Sequence, residues 1–256
     1  MREGEKINML AVFKKELRSY FMNAIGYVFV GVFLAISALL CCYTTIMSQT
    51  YDTSMYFYFL IFSFIILIPL LTMKLFAEEK KLRTEQLLMT APVSIWGMIL
   101  GKFFAAFTLF AGAVIVSCIN FYPLFAYASA DQVNSAYGTP GGPIFAIIAA
   151  CIIGILFIGA AFIALGLFIS SLTENQLAAA IITVAIILGM LLLNIVNGYL
   201  TEAPVLRAIL NTVCFMSRFA PFQSGLLDPS SLIYYLSFAG VFLLLTVRVY
   251  DKRRWA

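Results

Sequence analysis

The residues best suited to chemistry are concentrated in one short polar segment, residues 77–92. Its charged members are Glu78, Glu79, Lys80, Lys81, Arg83 and Glu85. Glu79 and Arg83 are four residues apart, a spacing at which opposite charges pair on one face of a helix. Pro92 ends the run, because proline does not continue a helix. The pattern predicts a short helix that is offered to a partner; a solvated charged turn is the alternative.

Several kinds of catalysis are excluded by residue type. The chain has no histidine, which removes histidine-based catalysis, histidine metal sites and histidine proton relays. The pair Gly101 and Lys102 resembles part of a phosphate-binding loop, but three residues separate Gly97 from Gly101, and Phe103 follows the lysine. A P-loop needs four residues between its glycines and a serine or threonine after the lysine. We expect no enzyme activity, metal or directly bound cofactor, so any ATP would be hydrolysed by another chain.

The elements that must position this segment follow from composition. The chain is 63% hydrophobic and only 11% charged, whereas soluble domains are about half apolar and about a quarter charged. Long uncharged gaps separate the charges, and each can hold a membrane-spanning helix of about 20 residues. The sequence therefore predicts an all-α integral membrane protein with six spans, near residues 25–47, 56–76, 98–123, 144–170, 177–197 and 232–250.

Positive charge predicts the orientation of these spans. Of the 16 lysines and arginines, all except Arg207 and Arg218 fall on one predicted side of the membrane. Loops rich in lysine and arginine stay in the cytoplasm, so both termini and the loop of residues 77–97 are predicted to be cytoplasmic. We divide the chain into an N-terminal helix at residues 1–24, a six-helix domain at residues 25–250 and a basic tail at residues 251–256.

The N-terminal segment is predicted to be an amphipathic helix at the membrane interface. Leu10, Phe13, Leu17 and Tyr20 fall on one helical face, with Lys14, Lys15 and Arg18 on the rest of the surface. Such helices bury their apolar face at the boundary between headgroups and acyl chains. An ordinary positive flank of the first span is the alternative.

Short motifs in a fixed order then suggest a family. They are FKKELRSYF (13–21), IGYV (25–28), FAEEKK (76–81), TEQLL (84–88), Pro92, GK (101–102), GLFISSLTENQ (166–176), FQSG (222–225), LIYYL (232–236) and KRRW (252–255). In a six-span frame, this chain resembles an ABC-2 type (type V exporter-like) transporter permease over essentially its whole length. The gliding-motility-associated branch is the most similar. Arg83 departs from the family pattern, where glycine often precedes the Thr-Glu pair.

The resemblance implies a fold and a set of contacts. The interfacial helix, with Phe13, Lys14, Lys15, Leu17 and Arg18, would be a connecting helix. The segment 78–92 would carry a coupling helix that docks in a groove of an ATPase, and the turn 171–176 would be a second, smaller contact. The implied contact residues are Glu78, Glu79, Lys81, Arg83, Thr84, Glu85, Leu87, Leu88, Pro92, Thr173, Glu174 and Asn175.

The resemblance also implies partners. ATP and Mg²⁺ would bind to a separate ATPase subunit. The second permease would be an identical chain or a different gliding-type chain with an outward domain. The permease would move substrate, mostly outward, across the cytoplasmic membrane of a prokaryote. Two other functions stay open at this point: a membrane enzyme acting on lipid, and an ion-coupled carrier. The enzyme would need a cluster of carboxylates or metal ligands at the interface, and the sequence shows none. The absence of charges in the middle of the predicted spans counts against the carrier.

Overall fold

The computed structural model describes residues 3–48, 50–81, 94–126, 133–134, 139–140, 143–199 and 214–254. This part of the chain is mostly helical, with short connections and one pair of two-residue strands. The long helices are α1 (Glu3–Met22), α2 (Ala24–Cys41), α3 (Ser54–Thr72), α5 (Ile95–Ser117), α7 (Phe145–Leu172), α8 (Gln176–Tyr199) and α10 (Pro229–Arg254). The shorter elements are α4 (Lys74–Lys81), α6 (Tyr122–Ala126), α9 (Phe215–Gln223), β1 (Val133–Asn134) and β2 (Thr139–Pro140). A π-helical turn, Cys42–Ile46, extends α2, and a 3₁₀ turn, Cys118–Phe121, joins α5 to α6.

Among the described residues, six helices are long and apolar enough to cross a membrane, which agrees with the predicted number of spans. Their bounds are Ala24–Ile46, Ser54–Lys81, Ile95–Ala126, Phe145–Leu172, Gln176–Ile195 and Pro229–Lys252. The predicted ends are close for most of them. The second span was predicted to end at Phe76, but the helical segment continues to Lys81 because α4 follows α3 almost without interruption.

Helix α7 is at the centre of the bundle and contacts α3, α4, α5, α8, α9 and α10. Its glycines let neighbours approach closely. A Cβ at Gly159 would lie 2.1 Å from the ring of Phe110, which also packs edge-on against Phe33 and Phe64. The glycine thus makes room for an aromatic cluster that joins α2, α3, α5 and α7.

The six spans differ in how much of their surface the chain itself covers. About a quarter of the apolar segment is buried in α2, α8 and α10 (28%, 22% and 28%), against 56%, 56% and 61% in the spans built on α3, α5 and α7. Three spans therefore form the inner core. The other three present most of their apolar side chains to the surroundings.

Candidate functional site at the junction of α3 and α4

The polar segment predicted from the sequence begins at the junction of α3 and α4, residues 71–77. Pro69, in the last turn of α3, lacks the N–H that would bond to the carbonyl four residues earlier. The helix is interrupted at Met73, and α4 begins at Lys74. Backbone groups at such an interruption need partners from elsewhere in the molecule.

Side chains from two other helices supply these partners. The Ser170 hydroxyl, on α7, accepts hydrogen bonds from the backbone N–H groups of Phe76 (3.1 Å) and Ala77 (3.2 Å). It also donates to the carbonyl of Met73 at 3.2 Å. The Tyr20 hydroxyl, on α1, donates to the carbonyl of Leu71 at 2.9 Å. Helix α4 is thereby capped by α7, and the end of α3 is held by α1.

A third helix reaches the junction through Lys102 of α5. Its side chain is fully buried, and its ammonium donates to the Leu75 carbonyl at 2.7 Å. The ammonium also lies 2.8 Å from Oε1 of Glu79 and 3.1 Å from Oε1 of Glu16. It sits 4.9 Å from the centre of the Phe76 ring. All three N–H donors of the ammonium therefore have an acceptor: two carboxylates and one backbone carbonyl.

We call Lys15, Glu16, Glu79 and Lys102 the ion-pair cluster. It joins α1, α4 and α5, because Glu16 and Lys15 belong to α1 and Glu79 to α4. Lys102 lies near the end of a predicted span, but its side chain does not extend to the surface. It has no exposed area and ends between two carboxylates. Coulomb attraction and three hydrogen bonds offset the loss of hydration that burial imposes on the ammonium.

The charged form of Lys15 is also stabilised by the cluster. Its Nζ lies 3.3 Å from Oε1 of Glu79 and 3.5 Å from Oε1 of Glu16. Partial burial works against its ammonium form, but the two carboxylates outweigh burial and raise the pKa of Lys15 above its ordinary value. Burial, with Glu16 nearby, raises the pKa of Tyr20 well above its usual range. The tyrosine is therefore neutral and keeps the proton that it donates to Leu71.

Helix α4 also contacts the turn between α7 and α8. The ammonium of Lys80, a buried side chain, donates to the carbonyl of Ser171. Ser171 is the first residue of the predicted second contact, in which Glu174 and Asn175 are exposed and Thr173 is half-buried. The structure thus brings the start of the polar segment and the 171–176 turn together at one end of the bundle.

The described residues of the predicted contact have different environments. Glu79 is engaged inside the chain by Lys102, with its side chain only 15% exposed. Glu78 is more exposed and pairs with Lys74 at 3.8 Å, and Lys81 is exposed. The other predicted contacts, Arg83, Thr84, Glu85, Leu87, Leu88 and Pro92, lie outside the described residues.

The N-terminal helix α1 packs differently from the prediction. Of its predicted apolar face, Tyr20 is buried and Phe13 and Leu17 are half-buried, but Leu10 is 56% exposed. The buried face also includes Glu16, a charged residue that the apolar pattern does not select. The face turned toward the bundle is therefore rotated toward Glu16, and part of the predicted apolar face stays uncovered.

Close packing at Gly101 holds α1 against α5. A Cβ at this position would lie 3.0 Å from Cγ1 of Val12 and 3.1 Å from the carbonyl of Met9. We expect Gly101→Leu to displace α1 and expose it to protease. Limited proteolysis of the purified chain measures this, with Gly112→Leu as the control on the same helix, because nothing lies within 4 Å of a Cβ there. Equal protection of both variants would contradict the packing described here.

Sequence reasoning named Glu79 as a site residue but did not find Lys102, Glu16, Tyr20 or Ser170. Glu16 and Tyr20 are four residues apart and so lie on one face of α1. This spacing is a signal from which their common orientation toward the junction could have been inferred. Serine at position 170 offers no such signal, since its partners lie more than 90 residues away. Comparison with protein-family models and with curated proteins found no match for this chain.

Proposed function

We propose that this chain is the membrane-spanning permease subunit of an ABC-2 type transporter. It moves a substrate, in the outward direction, across the cytoplasmic membrane of a prokaryote, with both termini in the cytoplasm. A separate ATPase subunit binds ATP and Mg²⁺ and docks on the segment that follows α4. The chain itself carries out no chemical step.

The observation that carries this proposal is the attachment of α4. A short helix that continues into the polar segment is bonded to α1, α5 and α7 through the ion-pair cluster and Ser170. These contacts tie α4 to three long helices. A displacement of α4 would therefore be passed to α1, α5 and α7.

The proposed mechanism is mechanical. Closure of the ATPase subunits on ATP pushes the segment that follows α4, and α4 moves α1 and the ends of α5 and α7 with it. The spans then tilt and open a path. The weakly covered helices α2, α8 and α10 leave apolar surface for lipid and for a second permease, either an identical chain or a different one. ATP binding shifts the population between the two arrangements rather than creating a new one.

Assembly with an ATPase tests the proposal. A gene for an ATPase with a Walker A motif is expected next to the gene for this chain, and the two products should purify together. We expect Leu88→Asp, in the predicted coupling helix, to reduce the recovered ATPase at least ten-fold, because a buried carboxylate without a partner opposes docking. Leu226→Asp is the control, since Leu226 is 65% exposed and precedes the end of α10 that lies away from α4.

Two results would contradict the proposal. One is a chain that purifies and works without any ATPase. The other is undiminished ATPase recovery with Leu88→Asp, which would show that the segment is not the docking site.

An ion-coupled carrier is a second candidate, favoured by one observation. The ion-pair cluster places a fully buried lysine between two carboxylates, a grouping that proton-coupled carriers also use. Uptake into vesicles that is driven by a proton gradient and continues without ATP would favour the carrier. Loss of transport on removal of ATP alone favours the permease.

A further inference from the structure

A basic groove lies where α1 meets α2. It has a volume of about 580 Å³ and is lined by Lys14, Lys15, Arg18, Ser19, Met22 and Asn23. The chain turns at Asn23, whose extended backbone (φ −93°, ψ 149°) separates the two helices. The groove therefore opens at the level where the first candidate span begins, at Ala24.

Two of the cations in the groove have no counter-charge in the described part of the chain. Lys15 is paired with Glu16 and Glu79, on the side that faces the ion-pair cluster. Lys14 and Arg18 are exposed, four residues apart on the outer face of α1, and neither forms an ion pair or hydrogen bond with a described residue. Their charge is thus available to a ligand from outside.

Apolar side chains flank the groove on the side of the first span. Met22 is 74% exposed, and Phe21 and Tyr27 form an edge-to-face pair with centroids 5.9 Å apart, at 46% and 64% exposure. The site thus combines two cations without counter-charges and the Asn23 amide with exposed apolar side chains at neighbouring positions of the chain. This combination suits a molecule with an anionic head and an apolar tail.

We propose that the groove binds the headgroup of an anionic phospholipid. Lys14 and Arg18 contact the phosphate oxygens, the guanidinium through two N–H groups, because its planar fork matches phosphate geometry. The Asn23 amide lies within the groove beside the glycerol, and the acyl chains lie along Met22 and Tyr27. Binding would hold α1 at the membrane surface and so fix the position of Glu16 and Tyr20 against the α3–α4 junction.

Lipid binding to the purified full-length chain tests this proposal. Native mass spectrometry in mild detergent is expected to show retained phosphatidylglycerol and little phosphatidylcholine. A cation near an anionic surface changes affinity by about five-fold, so the double variant Lys14→Gln, Arg18→Gln should weaken phosphatidylglycerol binding by roughly twenty-fold. The charge-preserving variant Lys14→Arg should bind as the parent does.

A matched control is present on α10. Arg248 and Lys252 are also exposed, four residues apart, and α10 approaches the junction through the ring contact of Tyr250 with Phe76. Arg248→Gln with Lys252→Gln should leave phosphatidylglycerol binding unchanged, because neither residue lines the groove. If this control loses as much as the α1 variant, the charge acts diffusely and the groove is not a site. If inorganic phosphate displaces the lipid at equal concentration, the ligand is a free anion and the proposal is wrong.

Discussion

Replacing Lys102 by methionine is expected to lower the stability of the chain by about 3–5 kcal/mol. The substitution keeps an unbranched side chain of nearly the same length and removes its charge, so Glu16 and Glu79 lose the buried ammonium between them. The carbonyl of Leu75 also loses its donor. The main source of the loss is that two poorly hydrated carboxylates are left to share Lys15, whose side chain is 58% exposed. In mild detergent, we expect the thermal midpoint to fall by roughly 10 °C.

Lys74→Met provides the matched comparison. Lys74 lies on α4 and pairs with Glu78 at 3.8 Å, but both side chains are partly exposed, so its loss should change stability by less than about 1 kcal/mol. Combining Lys102→Met with Glu16→Gln and Glu79→Gln removes all three charges and should restore much of the lost stability. Equal midpoints for Lys102→Met and Lys74→Met would contradict the buried character of the cluster.

Replacing Ser170 by alanine is expected to weaken the connection between α4 and α7. The backbone N–H groups of Phe76 and Ala77 would lose their acceptor, and the carbonyl of Met73 its donor. Leaving buried backbone groups unpaired costs about 1–3 kcal/mol. Under the proposed function, the variant should also transport less substrate per ATP hydrolysed, because a push on α4 would reach α7 less directly.

Thermal midpoint and the ratio of transport to hydrolysis measure the two effects of Ser170→Ala. The control is Ser237→Ala, since the Ser237 hydroxyl is exposed and donates only to the carbonyl of Tyr234 in its own helix. Its midpoint and its ratio should both equal those of the parent. A normal ratio in Ser170→Ala together with a lowered midpoint would assign Ser170 to stability alone.

The spans could be predicted from the sequence because one physical requirement dominates them. A charge inside the hydrocarbon region is expensive, so the gaps between charged residues mark the helices directly. The same reasoning did not predict where the second span ends. The segment from Phe76 to Lys81 is charged, yet it stays helical: Ser170 accepts hydrogen bonds from its first two N–H groups, and Lys102 pairs with the Glu79 carboxylate.

The site was predicted only in part, because its residues pair with residues that are far away in the sequence. Glu79 belongs to a visible charged segment, but its main partner, Lys102, is read from sequence as an ordinary charge near a span end. The buried ammonium of Lys102 also needs Glu16, which lies 86 residues earlier in the chain. A single sequence shows neither this long-range contact nor the rotation of α1 that turns Glu16 inward.

The order of residues in the ion-pair cluster bears on how the protein is made. Synthesis runs from the N-terminus, so Glu16 and Glu79 already exist when Lys102 leaves the ribosome. A lysine is most costly at the centre of a bilayer, and Lys102 lies near the start of the third candidate span, Ile95–Ala126. Both of its acidic partners come earlier in the chain, so no later segment has to be synthesised before its charge can be paired.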